Sequence, residues 1–154
     1  MSWPSGVYAI KVDIDTRRGL EQGVPELMKR LAAHELRASF FMSWGPDNSG
    51  RALLKLLTNP RFLAKMLRTN AVATYGLRTA LQGWLIPAPL IGAGRPDMAK
   101  ELYCAGHEVE IHAWDHRLWQ DTLARRDEWW VREWFAKAIA AHTDALGLPP
   151  SCFG

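Results

Sequence analysis

The alternation of apolar strands with amphipathic helices constrains the fold of this 154-residue chain most strongly. Residues 7–14 are β-branched and alternating, which predicts a buried strand, and carboxylates follow at its end in Asp13 and Asp15. A helical pattern begins near Pro25, and residues 37–42 predict a second strand. A strand, a helix and another strand in succession indicate a right-handed parallel unit, so we expect an α/β fold.

The later part of the chain continues this pattern. A helix is predicted over residues 97–105, a strand over 108–111, and a last helix over 126–146 whose His142 is expected on the solvent side. In parallel α/β folds, functional side chains gather at the carboxyl ends of the strands. The residues expected at that edge are Asp13, Asp15, Asp47 and His112.

The charge distribution marks out a basic, apolar insert at about residues 48–96. No acidic residue occurs between Asp47 and Asp97, although 7 of the 19 Lys and Arg residues lie there, which leaves 12 basic against 16 acidic residues elsewhere. The insert can be a solvated basic face or a surface that lies on an anionic membrane. Nucleic-acid binding is disfavoured because the insert is too apolar and no nucleic-acid motif accompanies it. The residues predicted to contact lipid phosphates are Arg61, Lys65 and Arg68.

The bulk properties set limits on the class of protein. No stretch approaches the roughly 20 apolar residues of a membrane-spanning helix, and no secretory signal is visible. Two cysteines do not make a disulfide framework, which favours a reducing compartment.

Two histidines at positions 112 and 116 can direct their imidazoles at one metal ion. The Asp13-Ile14-Asp15 stretch can add one carboxylate as a third ligand and leave the other as a base toward water. Taken alone, each stretch is also explained by neighbours on a helix surface or by a helix cap. Ala113 excludes the zinc-protease signature, which needs Glu there, and Arg17 disfavours an Asp-nucleophile phosphatase.

Residues 12–16 and 112–116 resemble the first two motifs of the NodB-type polysaccharide deacetylases. The resemblance implies a distorted (β/α) barrel that binds a divalent metal, Zn, Mn, Co or Ni. It also implies that Asp13 is the general base. The implied metal ligands are Asp15, His112 and His116.

Residues 45–48, 65–76 and 112–120 are similar to one subgroup of this family, the deformylases that act on 4-deoxy-4-formamido-L-arabinose linked to undecaprenyl phosphate. The resemblance implies hydrolysis of the formamide to formate and a free amine, as a step of lipid A modification that lowers the binding of polymyxin-like cationic peptides. It places the chain at the cytoplasmic face of the bacterial inner membrane as a peripheral protein. Residues with an expected supporting or substrate-binding role are Asp47, Asn48, Trp114 and Asp115.

The family's later motifs supply an Arg, an Asp and an acidic His, and we expect them beyond Gly154. Residues 1–154 are therefore predicted to be the N-terminal portion of one deacetylase-like domain, with an incomplete barrel and weak or absent activity alone. The alternatives are another NodB-type carbohydrate N-deacetylase and a non-catalytic fragment at a membrane surface.

Overall fold

A parallel three-stranded sheet organises the computed structural model, which describes residues 8–51, 83 and 85–154. The strands lie side by side in chain order, and their first residues are level because Ser39 pairs with both Lys11 and Glu108. This arrangement confirms the predicted parallel α/β class. The strands are β1 (Lys11–Ile14), β2 (Ser39–Ser43) and β3 (Glu108–Ala113).

The helices begin and end at residues with well-understood local preferences. The first two have a proline at their second or first position, and the other two are capped by the carboxylates of Asp115 and Asp127. Gly147 ends the last helix in the left-handed conformation. A π-helix (Gly19–Gly23) precedes the first helix, and a 3₁₀ turn (Leu123–Arg125) follows the third. The α-helices are α1 (Val24–Ala33), α2 (Pro96–Cys104), α3 (His116–Thr122) and α4 (Glu128–Leu146).

The hydrophobic core lies between the helices and one face of the sheet. Each strand contributes alternate residues to it, because side chains of a strand point to opposite faces in turn. Leu102 of α2 and Ala138 of α4 pack against this face and are fully buried. The strand residues of the core are Val12, Ile14, Phe40, Met42, Val109 and Ile111.

The other face of the sheet carries charged and aromatic side chains. The ammonium group of Lys11 lies 4.6 Å from the ring centroid of Phe41 and also contacts the carboxylate of Asp13. Glu110 of β3 belongs to the same alternation and is 5% exposed. Asp13, which sequence analysis places at the end of the first strand, thus shares with Glu110 the face opposite the core.

A β-bulge interrupts the pairing of β2 with β3 at their carboxyl ends. Met42 pairs with Ile111, but the next residue, Ser43, pairs with Ala113. His112 is therefore the extra residue of the bulge, and a bulge of this kind re-aims the side chain that it carries.

Two features of the elements differ from the sequence-based expectation. Strand β3 continues to Ala113, so His112 lies within the strand and not just after its end. His142 is fully buried, with Nε2 2.9 Å from the carbonyl oxygen of Val109 and the ring 5.3 Å from that of Trp44. The expectation of a solvated His142 is wrong because position 142 continues the buried stripe of α4.

The two ends of the predicted insert are joined to each other. The N–H of Asp47 donates to the carbonyl of Pro89 (2.8 Å), and Pro46 forms an antiparallel bridge with Leu90. Most of the predicted insert lies outside the described residues, and so do Arg61, Lys65 and Arg68. Across the ranges that the structure does describe, no helix has the length and apolar character needed to cross a membrane.

Candidate metal centre

Three side chains from two chain segments meet at the carboxyl edge of the sheet. Asp15 follows β1, His112 occupies the bulge of β3, and His116 opens α3. One ligand atom from each lies within 4.8 Å of the other two, and Asp15 Oδ1 is 3.2 Å from Nε2 of His112 and 3.8 Å from Nδ1 of His116. The sequence-predicted ligands therefore come together in space.

The two imidazoles are held in a defined relative orientation. Their ring centroids are 4.7 Å apart and their planes differ by 24°, so the rings stack. Nδ1 of His112 makes a short contact with the carbonyl oxygen of Gly154. This contact leaves Nε2 of His112 directed at Asp15, which is the arrangement that a metal-binding histidine needs.

The pKa values of Asp15 and His116 are shifted in the directions that suit cation binding, whereas that of His112 is shifted toward the protonated form. Burial acts to raise the pKa of Asp15, but the imidazoles of His112 and His116 outweigh burial and the pKa is lowered. Burial is the main cause of the lowered pKa of His116. Burial also opposes protonation of His112, yet Asp15 and the Gly154 carbonyl prevail and raise its pKa. Asp15 is thus an anion and His116 a neutral donor near neutral pH.

The residues fit a divalent metal ion. Oδ1 of Asp15 is buried and has no hydrogen-bond partner among the residues that the structure describes, since its 3.2 Å approach to His112 lacks hydrogen-bond geometry. A buried, unpaired carboxylate oxygen is costly unless a cation or donor satisfies it. Two imidazole nitrogens and one carboxylate oxygen form the donor set that Zn, Fe, Mn, Co and Ni accept with positions left open.

Asp13 lies beside this cluster but outside it. Its Oδ1 is 3.9 Å from Nδ1 of His112 and also contacts Lys11, whereas Oδ1 of Asp15 is buried beside the two imidazoles; the side chains as wholes are 42% and 41% exposed. The two aspartates therefore occupy different environments, as the separate roles suggested by the sequence require. Lys11 was not singled out from the sequence, although its position two residues before Asp13 on the same strand face was a usable signal.

The residues predicted to support the site tie its loops together. Asp115 is 3% exposed; its Oδ1 accepts from the N–H of Leu118 (2.9 Å) and its Oδ2 from the amide of Asn48 (2.6 Å). Asp47 is fully buried, and its Oδ2 accepts from the N–H of Arg17 at 2.8 Å. Both carboxylates thus join segments that follow different strands, and their described contacts are with protein groups.

Trp114 lies where the loop after β2 approaches the loop after β3 most closely. The N–H of Gly45 donates to the Trp114 carbonyl at 2.7 Å. A Cβ atom on Gly45 would lie 2.4 Å from that carbonyl and 2.8 Å from the indole ring. The described contacts of Trp114 fix the backbone between the two histidines.

Comparison with known proteins identifies the family. Residues 4–153 match the polysaccharide deacetylase family, so the chain belongs to it. Its fold is similar to that of a solved chain, "Crystal structure of putative polysaccharide deacetylase from Mycobacterium smegmatis", with a TM-score of 0.57 and 18% identity over 99% of this chain and 45% of that one. This likeness confirms the fold, with the three strands and their helices as part of a larger one.

Two curated relatives carry the same name, probable 4-deoxy-4-formamido-L-arabinose-phosphoundecaprenol deformylase ArnD. The protein of Shewanella sediminis (strain HAW-EB3) is 45% identical over 111 residues, which are 72% of this chain and 36% of that protein. The protein of Wigglesworthia glossinidia brevipalpis is 35% identical over 143 residues, 88% of this chain and 46% of that protein. The chain therefore spans less than half the length of these relatives.

Proposed function

We propose that this chain carries the metal-binding part of an amide hydrolase that removes the formyl group from a lipid-linked 4-deoxy-4-formamido-L-arabinose. The observation that carries the proposal is the convergence of Asp15, His112 and His116 around a buried, unpaired carboxylate oxygen. The names of the two ArnD relatives supply the substrate class. A divalent ion bound there would polarise the amide carbonyl and make a bound water more acidic.

In this proposal Asp15 and Asp13 have different roles. Asp15 stays ionised between the imidazoles and binds the ion, whereas Asp13 accepts a proton from the attacking water at a carboxylate oxygen. Lys11 contacts that carboxylate and so lies beside the proposed base. Addition of water to the formamide carbon and cleavage of the C–N bond give formate and an amine, and the proton taken by Asp13 balances the one gained by nitrogen.

Formate release from the undecaprenyl phosphate-linked formamido sugar tests the proposal. We expect slow release by the purified chain in the presence of Zn, Mn, Co or Ni, because the chain spans less than half of its named relatives. Asp13→Asn should lower the rate by about 10²-fold or more, the range of general-base contributions. A chelator should abolish it.

Two results would contradict the proposal in different ways. Faster hydrolysis of the N-acetyl analogue than of the formamide would favour another carbohydrate N-deacetylase of the family. A chain that binds metal stoichiometrically but releases no formate would favour the non-catalytic alternative.

We also propose peripheral attachment to an anionic membrane through the basic insert. The insert combines amphipathic spacing over residues 61–68 with seven basic and no acidic residues between Asp47 and Asp97. Co-sedimentation with vesicles should rise with anionic lipid content and fall on charge reversal at Arg61, Lys65 and Arg68. The described Arg125 and Arg132, reversed together with one further surface arginine outside the insert, serve as the matched control.

A further inference from the structure

Glu110 is a buried acid that the proposed function does not use. It lies in the middle of β3 on the face opposite the core, and it is 5% exposed. Its carboxylate accepts three hydrogen bonds, from the N–H of Ser151 (2.9 Å), the hydroxyl of Ser151 (2.5 Å) and the N–H of Cys152 (3.1 Å). Because all three donors come from one segment, the carboxylate fixes that segment against β3.

The segment held by Glu110, residues 151–154, runs parallel to β3 and reaches the metal centre. Phe153 forms a parallel bridge with Ile111, and the N–H of Gly154 donates to the Ile111 carbonyl at 3.1 Å. The carbonyl oxygen of Gly154 then contacts Nδ1 of His112. The chain of contacts from Glu110 to His112 is therefore continuous through backbone hydrogen bonds.

The side chain of His112 depends on this contact for its orientation, because regular strand pairing does not fix it. As the extra residue of the β-bulge, it is not paired in the register of β2 and β3. The Gly154 oxygen can only accept a hydrogen bond, so it requires a proton on Nδ1 and turns Nε2 toward Asp15 Oδ1, 3.2 Å away. Asp13 Oδ1 is the other acceptor near Nδ1, at 3.9 Å.

We infer that Glu110 is a positioning residue for the candidate metal centre, which acts through residues 151–154 to hold Nδ1 of His112 and fix the direction of its imidazole. The inference rests on the proposed metal-binding function. It assigns Glu110 a role in metal affinity and none in the chemical step, because the described contacts of its carboxylate are with Ser151 and Cys152.

Glu110→Gln tests the inference, with metal affinity as the first measurement. An amide keeps the size of the carboxylate but can accept at one oxygen only, so the segment loses part of its anchor. We expect Zn and Co affinity to fall by about 10- to 100-fold, as for lost outer partners of metal-binding histidines. The Co absorption spectrum should also change. Glu108→Gln is the matched control, because Glu108 is exposed on the same strand and bonds Ser39, and its metal affinity should stay as in the unaltered chain.

A second variant reaches the same contact without altering Glu110. A Cβ atom on Gly154 would lie 2.6 Å and 2.7 Å from two ring carbons of Phe41, so Gly154→Ala displaces the carbonyl from His112. Gly154 is exposed and the variant should fold, and we expect its metal affinity to fall as in Glu110→Gln.

The hydrogen-bonded proton on Nδ1 of His112 gives a readout that needs neither bound metal nor activity. Long-range proton–nitrogen NMR of the unaltered chain should show a proton on Nδ1, and Glu110→Gln should lower the fraction of His112 that carries it. An unprotonated Nδ1 in the unaltered chain, or unchanged metal affinity in both variants, would overturn the inference. Failure of the unaltered chain to bind any metal would instead reject the proposed function, while the NMR result would still decide whether residues 151–154 hold Nδ1.

Discussion

At the scale of single residues, the two aspartates after the first strand are distinguished by their surroundings. Oδ1 of Asp15 is buried between two imidazoles, while Oδ1 of Asp13 contacts Lys11, although the two side chains are 41% and 42% exposed overall. The proposed function assigns metal binding to the first of these groups and proton transfer to the second. Substitutions at the two positions should therefore separate metal binding from hydrolysis.

Asp15→Asn should weaken metal binding by about 100-fold or more, since the loss of even an outer partner of a ligand costs 10- to 100-fold. Asp13→Asn should bind the metal as the unaltered chain does, because Asp13 lies outside the cluster of three ligands. Competition with a chromophoric chelator measures both affinities. Equal losses in the two variants would show that the assigned ligand set is wrong.

At the scale of helices and strands, α3 and α4 begin in the same way but in different surroundings. Asp115 accepts from the N–H of Leu118 and Asp127 from that of Trp130. Asp127 is exposed, whereas Asp115 is 3% exposed and also bonds the side chain of Asn48. Since α3 starts at His116, its cap also sets the position of a proposed metal ligand.

Asp127→Ala should lower the free energy of unfolding by about 1 kcal/mol, the usual cost of a lost helix cap. Asp115→Ala should cost about 2–3 kcal/mol, because it also leaves the half-buried amide of Asn48 without its acceptor. Only Asp115→Ala should weaken metal binding. Urea unfolding of the metal-free chain and chelator competition measure the two effects, and identical behaviour of the two variants would contradict this account of Asp115.

His107, which directly precedes β3, should make the free energy of unfolding depend on pH. Nδ1 of His107 accepts the N–H of Ala38 at 3.3 Å, so the ring is neutral in the folded chain. Burial, with a smaller contribution from Arg37, lowers the pKa of His107 below its value in the unfolded chain. The unfolded state therefore binds more protons, and stability is lost as the pH falls below about 6.5.

His107→Gln should reduce the loss of unfolding free energy between pH 7.5 and pH 5.5, since the variant removes one group whose pKa is lowered by folding. His34→Gln is the control, because His34 is exposed after α1 and the substitution should leave the pH dependence as it is. Urea unfolding at both pH values, in the absence of metal, measures the difference. Equal pH dependence in the two variants would contradict the role given to His107.

The regular elements were predictable where local signals and periodicity agree. Prolines at the start of α1 and α2 and Gly147 at the end of α4 fixed those boundaries closely. The seven-residue α3 was missed, because it is too short for an apolar stripe and contains no buried residue. The prediction that His142 faces solvent is wrong, although helical spacing places it on the same face as the buried Trp134, Ala138 and Ala145.

At the scale of the whole molecule, the sequence predicts where the candidate metal centre lies but not how its side chains are arranged. The rule that parallel strands end at one edge brought Asp15 and His112 together in advance. The bulge at His112 depends on pairing between two strands far apart in sequence, and Glu110 is held by a segment that follows 41 residues later. No local pattern encodes such contacts.

The close approach of the loops at this edge should make the fold sensitive to a single added methyl group. Gly45→Ala places a Cβ atom 2.4 Å from the Trp114 carbonyl, and overpacking of this kind should cost about 1–3 kcal/mol. Gly23→Ala is the control, because none of the described atoms lies within 4 Å of its added Cβ; it should stabilise the chain by about 0.4–1 kcal/mol. Thermal and urea unfolding measure both, and a neutral Gly45→Ala would show that the loops can separate without loss.

The bulge between Ile111 and Ala113 also sets which changes in chain length this site can tolerate. Strand β3 has one residue more than its partner at this point, so a single deletion here would restore regular pairing instead of shortening a loop. Restored pairing would either remove His112 or draw Asp115 and α3 toward the sheet by about 3.3 Å, the rise of one strand residue. The stretch from Glu110 to His116 is therefore of fixed length, and insertions or deletions in variant libraries are better placed after α3.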